Sequence, residues 1–228
     1  MNNWFPEFYP HEANEDKWTF ERNKMVSEQI KARSIKNEKV LKAMLKVERH
    51  LFVPENLKNS AYTDNPLPIG YGQTISQPYI VAFMTEALEL SENDKVLEIG
   101  TGCGYQTAII AEITKEIYTI EIVKELNEFA GNLIKKLGYN NVKAMWGDGY
   151  NGWPEHAPFD SIIITAAPHK LPLRLIDQLK VGGKMIVPVG SGWHQELKSI
   201  TRTSDGIETK FLLDVRFVPM TGQMEREH

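Results

Sequence analysis

From residue 95 onward, short apolar runs alternate with amphipathic stretches of helical spacing. The apolar runs are typical of buried strands, and they are KVLEIG, EIYTIEI, VKAMWGD, FDSIIITAA and KMIVPVG. The stretches between them predict helices, and they are YQTAIIAEIT, KELNEFAGNLIKKLG and LPLRLIDQLKVGG. Strands that alternate with helices indicate parallel βαβ units, so we predict a doubly wound, Rossmann-like α/β sandwich with a mostly parallel sheet.

The two ends of the chain depart from this pattern. Apolar residues between Met25 and Leu45 recur at helical spacing and predict two short helices, and residues 79–90 predict another. Residues 1–24 are aromatic, acidic and interrupted by proline, so we predict an irregular arm. Near the C-terminus, two β-rich runs flank Ser204-Asp205-Gly206 and predict an antiparallel hairpin.

Composition and charge limit the possible partners and cellular locations of the protein. The 228 residues carry 26 Lys and Arg against 30 Asp and Glu, which disfavours a nucleic-acid partner because such partners usually require a basic patch. The single cysteine, Cys103, excludes an intrachain disulfide and fits a reducing compartment. The N-terminal residues lack the basic start and the following apolar segment of a secretory signal peptide. No apolar run reaches the ~20 residues that a membrane helix needs. We therefore expect a cytoplasmic protein that binds neither nucleic acid nor membrane.

The strongest chemical feature is the turn in VLEIGTGCGYQTA, where Gly100, Gly102 and Gly104 separate a strand from a helix. Glycines let a ligand approach the main chain closely, and a helix N-terminus offers free N–H groups. The last gap is one residue shorter than in the dinucleotide fingerprint G-x-G-x-x-G, which weakens an NAD assignment. A tight turn that binds no ligand is the alternative interpretation.

Acidic residues follow at the ends of the next two strands. Glu121 ends EIYTIEI, where an acid can bind both hydroxyls of a ribose, although acids at helix starts are also common. Asp148, in Gly147-Asp148-Gly149, could accept a hydrogen bond from an amino group such as that of adenine, with the N–H of Gly149 within reach. Alone, this tripeptide is more often a turn. Since the carboxyl ends of neighbouring strands border one crevice, we predict a site for an adenosine with a short polar tail.

A second candidate site lies in PLPIGYGQTISQP, residues 66–78. Its glycines and prolines exclude a helix interior. In an extended segment, Thr74 and Ser76 lie on one side and Ile75 points to the other. These hydroxyls could hold a carboxylate, or they could simply be solvated loop residues. The later sequence TAAP has no titratable group that could act as a base, which favours a nucleophile already ionised at neutral pH, such as a carboxylate.

These motifs together resemble two nested groups of proteins. The combination E-x-G-x-G-x-G, Glu121 and Asp148 resembles the class I methyltransferases that use S-adenosyl-L-methionine. The stretches AYTDNPLPIGYGQTISQPYIVAFMTEAL, VLEIGTGCGYQTA, GDGYNGWPEHAPFDSIIITAAP, QLKVGGKMIVPVG and VRFVPMTG, in this order, resemble the protein-L-isoaspartate O-methyltransferases. That resemblance spans about residues 25 to 222, and GQTISQP is specific to the family.

The resemblance implies methyl transfer from S-adenosyl-L-methionine to the free α-carboxyl of L-isoaspartyl residues in age-damaged proteins and peptides, giving an ester that collapses to a succinimide. Ser76 would orient that carboxylate as the catalytic residue, and the substrate-binding residues would be Thr74, Ile75, Ser76 and, through its main chain, Val187. The cofactor-binding residues would be Glu98, Gly100, Gly102, Gly104, Glu121, Asp148, Gly149 and Thr221. The single domain, 1–228, would comprise the arm at 1–24, N-terminal helices and the substrate loop at 25–94, and the cofactor-binding core at 95–228.

Other assignments stay open. A methyltransferase for RNA or a small molecule could use the same fold, and a non-catalytic cofactor-binding module is a further alternative. The six histidines and the cysteine show no metal-ligand spacing, so we expect no metal. We also expect a monomer.

Overall fold

The computed structural model describes residues 15–192 and 194–223, with side chains from Lys17 onward. The helices are α1 (Glu15–Lys24), α2 (Glu38–Lys46), α3 (Pro78–Ala87), α4 (Tyr105–Ala111), α5 (Lys124–Lys136) and α6 (Leu173–Ile176). The strands are β1 (Leu67–Gly70), β2 (Gln73–Ile75), β3 (Lys95–Ile99), β4 (Glu116–Glu121), β5 (Val142–Trp146), β6 (Phe159–Ile164), β7 (Leu179–Ser191), β8 (His194–Arg202) and β9 (Ile207–Val215).

Strands β3 to β9 form one sheet in the order β5-β4-β3-β6-β7-β8-β9. The pairs from β5 through β7 are parallel, whereas β8 pairs antiparallel with both β7 and β9. The chain order reverses direction across the sheet between β3 and β6. This is the switch point at which open α/β sheets bind ligands, beyond the carboxyl ends of the strands. The predicted α/β sandwich and its C-terminal hairpin are confirmed.

Apolar side chains are buried on both faces of the sheet. Val96, Ile163 and Ile186 pack into one core cluster with residues of α2 to α5. Their sequence neighbours Leu97 and Ile162 pack into a second cluster, on the side of α6. Successive strand residues point to opposite faces, so two separate apolar layers form around one sheet.

The N-terminal region contains more helix than the sequence predicts. Residues 15–24 form α1, and the chain continues through a π-helical turn at Met25–Ile30 before α2 begins. The expectation of an irregular arm at 1–24 is therefore corrected over residues 15–24, while residues 1–14 lie outside the described part. The reason is tertiary, because the Trp18 ring stacks on His50 at 4.8 Å between centroids. Asn37 caps α2, accepting hydrogen bonds from the N–H groups of Lys39 and Val40.

The stretch LPLRLIDQLKVGG is not one helix. Only Leu173–Ile176 is helical, and β7 already begins at Leu179. The early strand is held by its neighbours: Leu179 pairs with Phe159, and the Arg202 guanidinium donates to the Leu179 carbonyl at 2.5 Å. The apolar spacing of this stretch favours a helix, but strand pairing with β6 is the more stable arrangement from Leu179 onward. In the described part of the chain, no helix is long and apolar enough to cross a membrane.

Candidate active site

The turn between β3 and α4 is fixed by main-chain hydrogen bonds. The Gly100 N–H donates to the Ile120 carbonyl at 2.8 Å, and the Gly104 N–H donates to the Thr101 carbonyl at 2.8 Å. Gly100 has a φ of +96°, and a Cβ there would lie 2.4 Å from the Thr165 hydroxyl oxygen. Only glycine fits this position, which keeps the main chain of the turn open to a ligand.

Glu121 joins the same turn from the end of β4. One carboxylate oxygen accepts from the Gly102 N–H at 2.7 Å, and the other accepts from the Val123 N–H at 2.9 Å. The side chain is buried, and it borders the cavity above the turn. Each carboxylate oxygen has a second lone pair, so Glu121 can still accept from a ligand hydroxyl.

Asp148 and Gly149 follow β5 but play different parts. Gly149 borders the cavity, whereas Asp148 is not among its lining residues and binds main-chain N–H groups instead. The two Asp148 oxygens accept from the N–H groups of Tyr150 at 2.9 Å and Gln223 at 2.8 Å. Asp148 thereby holds the segment that carries Thr221, which also borders the cavity.

The residues of the GQTISQP loop form β2 and its continuation. Strand β2 pairs antiparallel with β1, so this part of the chain is a hairpin rather than an irregular loop. Ile75 is buried, Thr74 is exposed and Ser76 is half-buried, as the predicted alternation requires. All three residues border the cavity.

Two hollows meet at this hairpin. The cofactor-side cavity encloses about 810 Å³, including space open to solvent, and extends from Gln73 to the turn and Glu121. A neighbouring groove of about 910 Å³ lies between the start of α3 and the end of β9. The residues common to both are Thr74, Ser76, Thr165 and Val218. Ser76 therefore stands at the junction of two neighbouring hollows.

Besides Asp148, three predicted site residues lie outside the cavity lining. Val187 is fully buried in the core of the sheet and pairs with Lys198, so the structure gives it no place in either hollow. Gly104 forms the start of α4 and lies against Ala130 and Ile134, outside the cavity lining. Both residues therefore pack against other parts of the protein and do not border the cavity.

Glu98 is the third. It is 0% exposed and lies beneath the turn, where it accepts hydrogen bonds from the hydroxyls of Thr107 at 2.5 Å and Thr119 at 2.7 Å. Burial raises the pKa of Glu98 to about 7, against the opposite influence of the two hydroxyls, and nearby Glu121 raises it further. Its side chain supports the turn and does not border the cavity.

Sequence reasoning missed Thr165 and the segment Val218–Met220 as cavity residues. The Thr165 hydroxyl donates to the Gly100 carbonyl at 2.6 Å, which joins the end of β6 to the turn. The available signal was its position directly after a buried strand, where site residues gather in open α/β sheets. Among the described residues, no cluster of three or more His, Cys, Asp or Glu side chains could hold a metal ion.

Comparison with known proteins identifies this arrangement. Residues 20–225 match the family model described as protein-L-isoaspartate(D-aspartate) O-methyltransferase (PCMT). The chain belongs to the protein-L-isoaspartate O-methyltransferase family. The match includes the turn, the acids after β4 and β5, and the β1–β2 hairpin.

Individual relatives are similar over almost their whole length. The protein-L-isoaspartate O-methyltransferase of Gloeobacter violaceus is 52% identical over 205 residues, which is 90% of this chain and 100% of the relative. That of Dictyoglomus thermophilum is 54% identical over 89% of this chain and 91% of its own. A Plasmodium falciparum structure assigned to the same type, in complex with S-adenosyl-L-homocysteine, is 30% identical with a TM-score of 0.76, covering 87% of this chain and 97% of its own.

Proposed function

We propose that the junction at Ser76 is the active site of this methyltransferase. The reaction is transfer of a methyl group from S-adenosyl-L-methionine to the free α-carboxyl of an L-isoaspartyl residue in a damaged protein or peptide. The observation that carries the site assignment is the meeting of two hollows at Thr74, Ser76, Thr165 and Val218. A methyl donor in one hollow and a polypeptide in the other would come together only there.

The cavity suits an adenosyl ligand. Glu121 offers a carboxylate to a ribose diol, and the Gly100–Gly102 main chain lies open to a polar tail. Apolar side chains of Ile99, Ile120 and Ile122 border the remaining space. When bound, the cofactor supplies an electrophilic methyl group on a sulfonium centre. Asp148 contributes indirectly, by holding Gln223 and hence the Thr221 segment against the cavity.

None of the four residues that the two hollows share, Thr74, Ser76, Thr165 and Val218, has a side chain that acts as a base at neutral pH. The Thr165 hydroxyl is committed to the main-chain carbonyls of Ile99 and Gly100. A carboxylate nucleophile is already ionised at neutral pH, so it needs orientation and partial removal from water rather than a base. We assign that orientation to the Ser76 hydroxyl as a donor, with Thr74 beside it and Ile75 fixing the strand in the core.

We also infer that the chain works as a monomer in the cytoplasm. The single cysteine, Cys103, is buried at the turn, which is compatible with a reducing compartment. Light scattering after size exclusion would measure the mass, expected at 26.0 kDa, and cell fractionation would test the location.

The deciding experiment compares two peptides that differ only in an L-isoaspartyl or a normal aspartyl linkage. With labelled S-adenosyl-L-methionine, we expect base-labile label on the isoaspartyl peptide alone. Ser76→Ala should lower kcat/KM by about 10- to 100-fold, the value of a hydrogen bond to a charged group, with an unchanged melting temperature. Ser204→Ala, at the exposed tip of the β8–β9 hairpin, is the matched control and should be fully active. Full activity of Ser76→Ala would remove Ser76 from the site.

A further inference from the structure

Three dipeptides of the chain place Asp or Asn directly before Gly, and they are Asp148-Gly149, Asn151-Gly152 and Asp205-Gly206. In such pairs the main-chain nitrogen of Gly can attack the side-chain carbonyl of the preceding residue, because Gly has no Cβ to hinder the approach. The resulting five-membered succinimide reopens partly to an isoaspartyl linkage. The attack requires a mobile side chain and an available glycine nitrogen.

The first two pairs are held against this reaction. Both Asp148 oxygens are bound by main-chain N–H groups, and Gly149 is buried. The Asn151 side-chain oxygen accepts from Arg174 at 2.8 Å. The nitrogen of Gly152, also a buried residue, donates to the Gly149 carbonyl at 3.1 Å. An Asn-Gly pair forms a succinimide quickly in a flexible chain, but here the Asn151 side chain and the Gly152 nitrogen are both held by hydrogen bonds.

The third pair is different. Asp205 and Gly206 form the exposed tip of the β8–β9 hairpin, together with Ser204. The tip is closed by one hydrogen bond, from the Thr203 N–H to the Gly206 carbonyl at 2.9 Å, which leaves the Gly206 nitrogen uninvolved. Among the described residues, the Asp205 carboxyl has no hydrogen-bond or ion-pair partner. Both groups that react are thus free and exposed to water.

We propose that Asp205 is a site of spontaneous isomerisation in this protein, and that a second copy of the chain methylates the product. The Gly206 nitrogen bonds to Cγ of Asp205, the nitrogen loses its proton, and one water leaves to give the succinimide. Addition of one water to the carbonyl derived from the main chain then yields isoaspartyl 205 with a free α-carboxyl. No oxidant or reductant is involved. The second step rests on the proposed function.

The repair must occur between molecules. Asp205 precedes Asp214, at the edge of the groove beside Ser76, by nine residues along an extended strand, which places it about 30 Å away at ~3.3 Å per residue. The tip therefore cannot reach its own junction. As an exposed turn at the end of a two-stranded ribbon, it can enter the groove of another copy after local fraying.

The test ages wild-type protein, Asp205→Glu and Asn151→Gln for several weeks at 37 °C and neutral pH without cofactor. Glutamate would have to form a six-membered ring, so that variant keeps the charge but not the reaction. The two linkages have the same mass, so chromatographic separation of the tryptic peptide Thr203–Lys210, with electron-transfer fragmentation to assign each peak, measures the isoaspartyl fraction. Base-released methanol after addition of labelled S-adenosyl-L-methionine measures methyl transfer per chain.

Aged wild type and Asn151→Gln should take up at least fivefold more methyl than aged Asp205→Glu or fresh protein, with an initial rate per chain that rises with protein concentration. Equal uptake by Asp205→Glu, or no isoaspartyl residue in the peptide Thr203–Lys210, would overturn the site. A rate per chain independent of concentration would overturn repair by a second copy. All variants are also assayed on a synthetic isoaspartyl peptide, because failure there contradicts the proposed function instead.

Discussion

Glu98 is an ionisable side chain with no access to water, yet it lies directly beneath the turn that borders the cofactor-side cavity. Two threonine hydroxyls donate to one of its oxygens, and Thr119 also bonds Thr101 in the turn at 2.6 Å. The network joins β3, β4, α4 and the turn through short polar side chains. It stabilises the shape of the turn at the cost of burying a carboxyl group.

Glu98 should therefore make stability depend on pH. Burial raises the pKa of Glu98 from 4.5 to about 7, so between these values the folded state keeps a proton that the unfolded state loses. The stabilisation is fully present below pH 4.5 and is lost as pH rises through about 7, on the order of 3 kcal/mol. Urea unfolding of wild type and Glu98→Gln at several pH values should give stability curves that diverge in favour of the variant as pH rises. Parallel curves would contradict the shifted pKa of Glu98.

The sequence predicts some side-chain positions better than others, for a physical reason. Ser76 and Ile75 follow from strand alternation, and Glu121 follows from its place at a strand end. Val187 and Glu98 also lie on motif strands, but whether such a side chain faces the cavity or the core depends on packing from distant segments. That information is not local, so the sequence could not give it.

The turn between β3 and α4 is the element most sensitive to a single methyl group. Gly100→Ala would place a Cβ at a φ of +96° and 2.4 Å from the Thr165 hydroxyl. We expect a loss of more than about 1 kcal/mol in stability and at least a tenfold weaker affinity for S-adenosyl-L-homocysteine, measured by calorimetry.

The matched control for that variant is Gly131→Ala in α5. A Cβ at Gly131 would meet no atom within 4 Å, and the residue has an ordinary helical conformation. The substitution should stabilise the protein by about 0.5–1 kcal/mol and leave cofactor affinity unchanged. If both variants weakened binding equally, the geometry at Gly100 would not be the cause.

Helices, strands and turns were predictable where nearby residues in the sequence favour the same structure that the folded protein adopts. The β3–α4 turn has its glycines, and α2 has Asn37 as its cap. Helix α1 and the early start of β7 lack such signals. The first depends on the stacking of Trp18 on His50, and the second depends on pairing with β6, contacts between residues that are distant in sequence.

The cofactor-side cavity collects residues from Gln73 to Thr221, so one ligand would link most of the protein. S-adenosyl-L-homocysteine at 100 times its Kd should add about 2.7 kcal/mol to the free energy of unfolding, a rise of about 5–10 °C in Tm. Calorimetry should record a single transition that moves as a unit. Two transitions, of which only one moves, would show that the β1–β2 hairpin and the large sheet unfold separately.

From residue 95 onward, the order of strands and helices was predictable from the hydrophobic period alone. The groove beside Ser76 was not, because it forms between the start of α3 at Pro78 and the end of β9 at Val215, which are 137 residues apart in the chain. Sequence motifs indicated that two ligands were needed but not where their sites join.

The junction at Thr74, Ser76, Thr165 and Val218 has a consequence for chemical probes. A compound that fills only the cofactor-side cavity would imitate an adenosyl group, which many unrelated enzymes also bind. A compound that carries a carboxylate through the junction into the groove would have to match both hollows at once. Its two halves would benefit from a high effective concentration, and its selectivity would come from the opening between them.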